Sequence, residues 1–247
     1  MPLIAFENVV KKFNGVTVLD GLSFSVEPGE IFCIVGRSGT GKSVALKHIV
    51  RLLSPTSGRV LFEGKDVSAS CGKELSHIRS RIGYLFQSGA LLAWMTVWDN
   101  VALPLRETTA LSEDEIAQRT AEALAAVGLT NAAEKYPSEI SGGMQKRAGL
   151  ARAIVRKSDV ILYDEPTSGL DPVTAATINE LIVKLNRTRS ITSVVVTHDI
   201  GAALALSNHI MLLDKGRCVV CATPEEFKRS SQPEARAFLA AAKGEWL

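Results

Sequence analysis

Long apolar runs are missing from this 247-residue sequence. The longest uncharged apolar stretch, around residues 88–98, falls far short of the roughly 20 residues needed to cross a bilayer, so no membrane-spanning helix is expected. No secretory leader is visible: Met1-Pro2-Leu3-Ile4 runs into charged residues by Glu7. An excess of charge of one sign is lacking too. The 28 basic residues against 26 acidic ones leave a net +2, which gives no bulk electrostatic reason to bind nucleic acid. Cysteine is limited to Cys33, Cys71, Cys218 and Cys221. Cys218-Val219-Val220-Cys221 has the spacing of a redox or metal motif but sits in a strand-like run. An offset of three places two thiols on opposite faces of a regular strand, so these cysteines read as small apolar residues of a reducing compartment. Internal repeats and low-complexity tracts are absent. The length suits one large α/β domain or two small ones, and the expected location is cytoplasmic, with any membrane contact made through a partner.

What the sequence does have begins with Gly36-Arg37-Ser38-Gly39-Thr40-Gly41-Lys42-Ser43, which fits the phosphate-loop pattern G-x-x-x-x-G-K-[ST]. Such a match arises by chance in roughly one chain of this length in a hundred. The run before it, Ile31 to Val35, is continuously apolar, as a strand buried on both faces should be. After it, Ala45, Leu46, Ile49, Val50 and Leu53 recur at helical spacing, which predicts a helix over 43–53. Glycines here let backbone N–H groups turn inward as an anion nest, and the helix N-terminus adds its dipole. Gly36, Ser38, Gly39 and Gly41 would cradle phosphates. Lys42 would reach the β- and γ-phosphates of a nucleotide, and the Ser43 hydroxyl would ligate Mg²⁺.

Residues 3–27 alternate short β-like runs with turns at Asn14-Gly15, Asp20-Gly21 and Pro28-Gly29, which predicts an antiparallel layer before the loop. Phe13 lies beside the first turn, where it can stack on adenine or serve as an ordinary packing residue. Further buried strands are expected at 82–86, 160–163 and 193–197. Each ends in a polar group: Gln87, then Asp164-Glu165, then His198. Between them, residues 88–157 read as a helical insertion. Ser112-Glu113-Asp114-Glu115 is a capping box opening a helix that Gly128 stops, with Ile116, Thr120, Leu124 and Val127 inward. A second helix follows Ser141-Gly142-Gly143. Asp171-Pro172 opens another, and a hairpin turns at Lys215-Gly216.

These strand ends share the edge where α/β sheets keep their ligands, so one nucleotide can touch all of them. Asp164 would hold Mg²⁺ through water, and Gln87 would contact Mg²⁺ or the attacking water. Glu165 would accept that water's proton, and His198 would donate to the γ-phosphate. His48, His77 and His209 have no such setting.

Over nearly its whole length the chain resembles the ATPase subunits of ABC transporters. Residues 36–43 match the Walker A loop, Gln87 the Q-loop, and Ile140-Ser141-Gly142-Gly143-Met144-Gln145 the signature motif. Leu162-Tyr163-Asp164-Glu165 matches Walker B, Ser168-Gly169-Leu170-Asp171 the D-loop, and His198 the switch histidine. Met144 departs from the family's usual glutamine, while the anion-binding Ser141-Gly142-Gly143 is intact. The resemblance implies an α/β fold: a RecA-like phosphate-loop NTPase core (1–87 and 158–229) with an antiparallel β layer and an inserted α-helical subdomain (88–157). A C-terminal tail, 230–247, carries Phe238, Leu239 and Trp246, which either pack locally or reach a partner. The resemblance further implies an ATPase using ATP and Mg²⁺ and working as a homodimer, with Ser141, Gly142 and Gly143 of one copy closing over the ATP of the other.

The segment from Leu85 to Leu92, then Met95 to Val101 and Pro104 to Glu107, is similar to the ATPases paired with MCE proteins in Mla-type systems. Those systems move phospholipids between the inner and outer membranes of Gram-negative bacteria. The implied partners are an integral membrane permease docking on about 88–105, an MCE-domain protein and a small cytoplasmic regulatory subunit. The implied location is the cytoplasmic face of the inner membrane. Leu91, Leu92, Trp94, Met95 and Trp98 would then be divided between the permease contact and the insertion's own core, with Trp94 and Met95 facing the partner. A small-solute importer of compatible solutes or amino acids is the alternative.

Overall fold

The structure, a computed structural model, describes residues 1–242. Strands β1 (Ile4–Phe13) and β2 (Val16–Val26) form an antiparallel hairpin. Asn14 and Gly15 supply its two left-handed turn residues, the pairing that matches strand twist. Then come β3 (Ile31–Val35), α1 (Lys42–Ile49), β4 (Ser57–Phe62) and the short β5 (Lys65–Asp66). β4 and β5 complete a four-stranded antiparallel sheet of order β2-β1-β4-β5, the expected layer.

The chain continues through α2 (Gly72–Ser80) and β6 (Ile82–Leu85) into the helical insertion: α3 (Val97–Thr108), α4 (Glu113–Ala126) and α5 (Gly142–Ile154). It returns through β7 (Val160–Asp164), α6 (Pro172–Arg189), β8 (Thr192–Thr197) and α7 (Ile200–Leu206). The hairpin β9 (His209–Asp214) and β10 (Arg217–Ala222), then α8 (Pro224–Lys228) and α9 (Pro233–Ala242), close it. The second sheet has the order β10-β9-β3-β8-β7-β6, parallel except for β10 at its edge.

The unbroken apolar runs are explained by the two cores on either side of this sheet. Phe32, Ile34, Leu162, Val194 and Val196 face α1 and the antiparallel layer. Ile31, Cys33, Val35, Ile161, Tyr163 and Val195 face the opposite core, shared with the insertion and α6. A strand buried on both sides needs apolar residues at every position. Among the described residues no helix is long and apolar enough to cross a membrane.

Two sequence expectations are revised. Helix α1 stops at Ile49, four residues before Leu53. Arg51 adopts φ 50°, its N–H donates to the His48 carbonyl, and Leu52 N–H donates to the Lys47 carbonyl at 2.8 Å. This is a Schellman closure with arginine where glycine is usual, so no glycine marked the stop. The two cysteines of β10 lie on one face, not two. Cys218 pairs with Leu213 and Cys221 with Met211, two residues apart on β9, because a bulge at Val219 absorbs the third position. Helix α2 carried no sequence signal of its own. In the tail, Phe238 and Leu239 pack against the main core, while Trp246 lies outside the described residues.

Candidate functional site

The loop after β3 wraps a space that only backbone can fill. A Cβ on Gly36 would lie 2.3 Å from the Leu213 carbonyl oxygen. Gly41 caps α1 at φ 102°, with Leu19 and Val18 close enough to meet any side chain there. Lys42 opens the helix but turns back over the loop, its Nζ donating to the Gly36 and Arg37 carbonyls at 2.9 Å each. The ammonium is buried, which pushes its pKa down; Glu165 and Asp164 oppose that shift.

Strand β7 delivers the two carboxylates to this loop. Ser43 Oγ donates to Asp164 Oδ1 at 2.6 Å, so the two groups expected around Mg²⁺ already touch. Glu165 follows in the left-handed region at φ 49°, a strained conformation for a residue with a Cβ and one that recurs at catalytic positions. Its Oε1 lies 3.7 Å from Lys42 Nζ, and its Oε2 shares a 2.7 Å hydrogen bond with His198 Nδ1 at the end of β8. The imidazole is 62% exposed whereas the carboxylate is 11% exposed. The histidine therefore faces the open side while the glutamate is held from two directions.

Ser38, Gly39, Gly41, Lys42, Ser43, Gln87, Glu165 and His198 line one cavity of about 500 Å³, together with Val18, Val44 and Ser168. The structure thus gathers eight of the predicted residues, with Gly36 at the loop's root and Asp164 directly behind Ser43. Four others stand apart. Ser141, Gly142 and Gly143 open α5, where Ser141 Oγ accepts from Met144 N–H at 3.3 Å, and none of them lines this cavity. Met144 packs against the core, which leaves the glycine pair undisturbed. Phe13 is exposed at the end of β1 with Lys11 Nζ 4.8 Å over its ring, so it is not core packing, nor does it line the cavity.

The donor set suits a hard cation. The Ser43 hydroxyl, the Asp164 carboxylate and the Gln87 amide oxygen are the ligand types Mg²⁺ takes alongside phosphate oxygens and waters. Among the described residues no three His, Cys, Asp or Glu side chains form a metal cage.

Two residues in this shell went unread in the sequence. Tyr84 on β6 donates its hydroxyl to Asp164 Oδ2 at 3.2 Å. Burial beside Asp164 pushes the phenol well above its ordinary range, so it stays a donor. Lys146 of α5, nine-tenths buried, donates to the backbone carbonyls of Gln87 and of Glu165, the latter at 3.2 Å. A polar tip in a buried strand and a cation on the inner face of a helix were the only sequence signals for either.

A phosphate loop on a parallel sheet, carboxylates two strands over beyond β8 and a helical insertion between them define a phosphate-loop NTPase. The model of the ABC transporter family matches residues 19–168, and the chain belongs to that family. It is 41% identical over 236 residues to the probable ribonucleotide transport ATP-binding protein mkl of Mycobacterium tuberculosis, covering 96% of this chain but 66% of that one. Thus the chain spans just under two thirds of the length of that mycobacterial relative. Identity to the intermembrane phospholipid transport system ATP-binding protein MlaF of Haemophilus influenzae is 40%, covering 98% of this chain and 91% of MlaF. Identity to the methionine import ATP-binding protein MetN of Cereibacter sphaeroides is 42%, covering 98% and 70%. Among solved structures, the dimeric post-hydrolysis cassette MJ0796 bound to ADP and Pi is 34% identical with a TM-score of 0.82, covering 90% of this chain and 98% of that one.

Proposed function

We propose that this chain is the ATP-hydrolysing subunit of an ABC transporter that drives phospholipid movement between two membranes, paired with a permease and an MCE-type protein. The observation that carries the engine is the chain of contacts from Lys42 through Glu165 to His198 on one cavity wall. The loop amides and Lys42 bind the β- and γ-phosphates. Ser43, Asp164 and Gln87 would hold Mg²⁺, whose charge would offset that of those phosphates. Glu165 takes the proton of the attacking water, and His198 senses the γ-phosphate while holding the Glu165 carboxylate in place. The separation of Ser141-Gly142-Gly143 from this cavity supports a second copy: the α5 N-terminus is a phosphate-ready end turned toward a partner's ATP. The dimeric MJ0796 cassettes support the same arrangement.

The permease contact is supported by the segment after Gln87. Trp94 is 73% exposed, and a fully buried Asn100 fixes the turn that displays it. Asn100 Nδ2 donates to the Leu92, Met95 and Thr96 carbonyls, and its Oδ1 accepts from Leu92 N–H. Leu91 and Trp98 pack inward against the core. A turn held this firmly offers the exposed indole to the permease, which supports the docking reading.

The phospholipid reading rests on the segment from Leu85 to Glu107 and on the likeness to MlaF. The likeness to MetN favours a second reading, the ATPase of a small-solute importer. Co-purification of the tagged chain from native membranes in mild detergent, followed by mass spectrometry, separates the two. An MCE-domain protein and a permease carrying phospholipid are expected; a solute-binding protein with a different permease would replace this reading with the importer.

A further inference from the structure

Helix α5 does more than present the signature glycines. Along one side, at three-residue steps, Lys146, Gly149 and Arg152 all grip the segment that follows β6. Arg152 donates to the Gly89 and Ala90 carbonyls at 2.8 and 2.7 Å. Gly149 lies so close that a Cβ there would be 3.0 Å from the Gly89 carbonyl oxygen and 2.8 Å from Leu85 Cδ1. Gly89 and Ala90 are both left-handed, at φ 74° and 48°, so this loop keeps its shape because α5 holds it. Lys146 differs from the other two in reaching further. Its ammonium donates both to the Gln87 carbonyl on this segment and to the Glu165 carbonyl.

One buried cation therefore ties the base of the Trp94 turn to the residue that bears the catalytic carboxylate. A lysine is suited to this because its point charge donates to carbonyls in several directions at once. It also has a reason to stay there: a buried ammonium that loses either carbonyl is left partly unsatisfied, so the two backbones move together. The left-handed Glu165 is the one that needs holding, since its φ is not self-sustaining for a non-glycine residue.

We propose that Lys146 is a positioning residue that transmits the placement of the 87–90 segment, and hence of the docking turn beyond it, to the Glu165 carboxylate. The proposal rests on the reading of Glu165 as the base and of the Trp94 turn as the permease contact. In that role Lys146 touches neither nucleotide nor water; it sets where the base stands.

The test uses the full chain with Mg-ATP. Lys146→Met, similar in length but unable to donate, should lower kcat at least tenfold while KM for ATP stays within threefold, and Lys146→Arg should recover part of the loss. In a Glu165→Gln background, Lys146→Met should still form the ATP-dependent dimer at a similar ATP concentration, because the nucleotide face is intact. A kcat within twofold of the parent overturns the proposal. So does loss of the ATP-dependent dimer, which would place Lys146 in the signature face instead. If Lys146→Met lacks a cooperative unfolding transition, Lys146→Gln, which keeps one donor, is read by the same criteria. Rapid turnover in Glu165→Gln alone would instead refute the base assignment on which the proposal stands.

Discussion

Replacing Glu165 with glutamine perturbs more than proton transfer, because without nucleotide its carboxylate is the counter-ion of the phosphate-loop lysine. The pair is 3.7 Å apart, with side chains 6% and 11% exposed. Removing one member of a buried pair commonly costs about 3–5 kcal/mol, since the remaining charge is left uncompensated. Lys42 keeps its bonds to the Gly36 and Arg37 carbonyls, each worth about 1 kcal/mol net, so a loss of about 1–3 kcal/mol is expected here. For a chain of this size that lowers Tm by about 2–12 °C. ATP supplies the missing negative charge, so the variant should bind ATP about five- to 150-fold more tightly than the parent. It should also accumulate as a dimer, since bound ATP is no longer hydrolysed. Thermal unfolding with and without Mg-ATP measures both halves. A nucleotide-free variant as stable as the parent would refute the view that Glu165 holds Lys42.

Trp94→Glu should leave Tm and ATP affinity unchanged yet release the permease on co-purification; impaired ATP binding would instead mean that the indole supports the insertion. Ser112→Ala removes the acceptor for Glu115 N–H at the start of α4, which should cost about 1 kcal/mol and lower Tm by about 2–4 °C without altering ATP affinity. Gly143→Ala would place a Cβ 2.3 Å from Thr174 Cγ2. It should abolish ATP-dependent dimerisation in the Glu165→Gln background while monomer nucleotide binding persists. Adding Thr174→Ser, which removes that methyl, should restore part of the dimer if the defect is the clash; no recovery would assign the loss to the glycine's contact with phosphate.

The features legible in the sequence were those whose cause is local. The phosphate loop is contiguous, and its glycines are dictated by backbone geometry within eight residues. Caps such as Ser112 and Asp171 act over three residues and were placed correctly by residue type alone. Doubly buried strands announced themselves as unbroken apolar runs, and polar residues at their ends marked the ligand edge. The resemblance to ABC ATPases then supplied the roles of motifs that local physics only located.

Tertiary structure decided whatever depends on which distant groups meet. Ser43 and Asp164, 121 positions apart, form one hydrogen bond. Tyr84 finds Asp164 across 80 positions, and Lys146 finds Gln87 across 59. Nothing in a buried tyrosine or a helical lysine says which acceptor it will reach, because the sheet order β8-β7-β6 and the packing of α5 choose it. The same holds for small departures from regularity. A bulge at Val219 put Cys218 and Cys221 on one face, and a left-handed Arg51 ended α1 early, each satisfying a backbone whose partners lie elsewhere in the chain. Sequence alone therefore determined which chemistry this protein carries. The fold decided which side chains hold that chemistry in place, since such contacts exist only once residues far apart in the chain have been brought together.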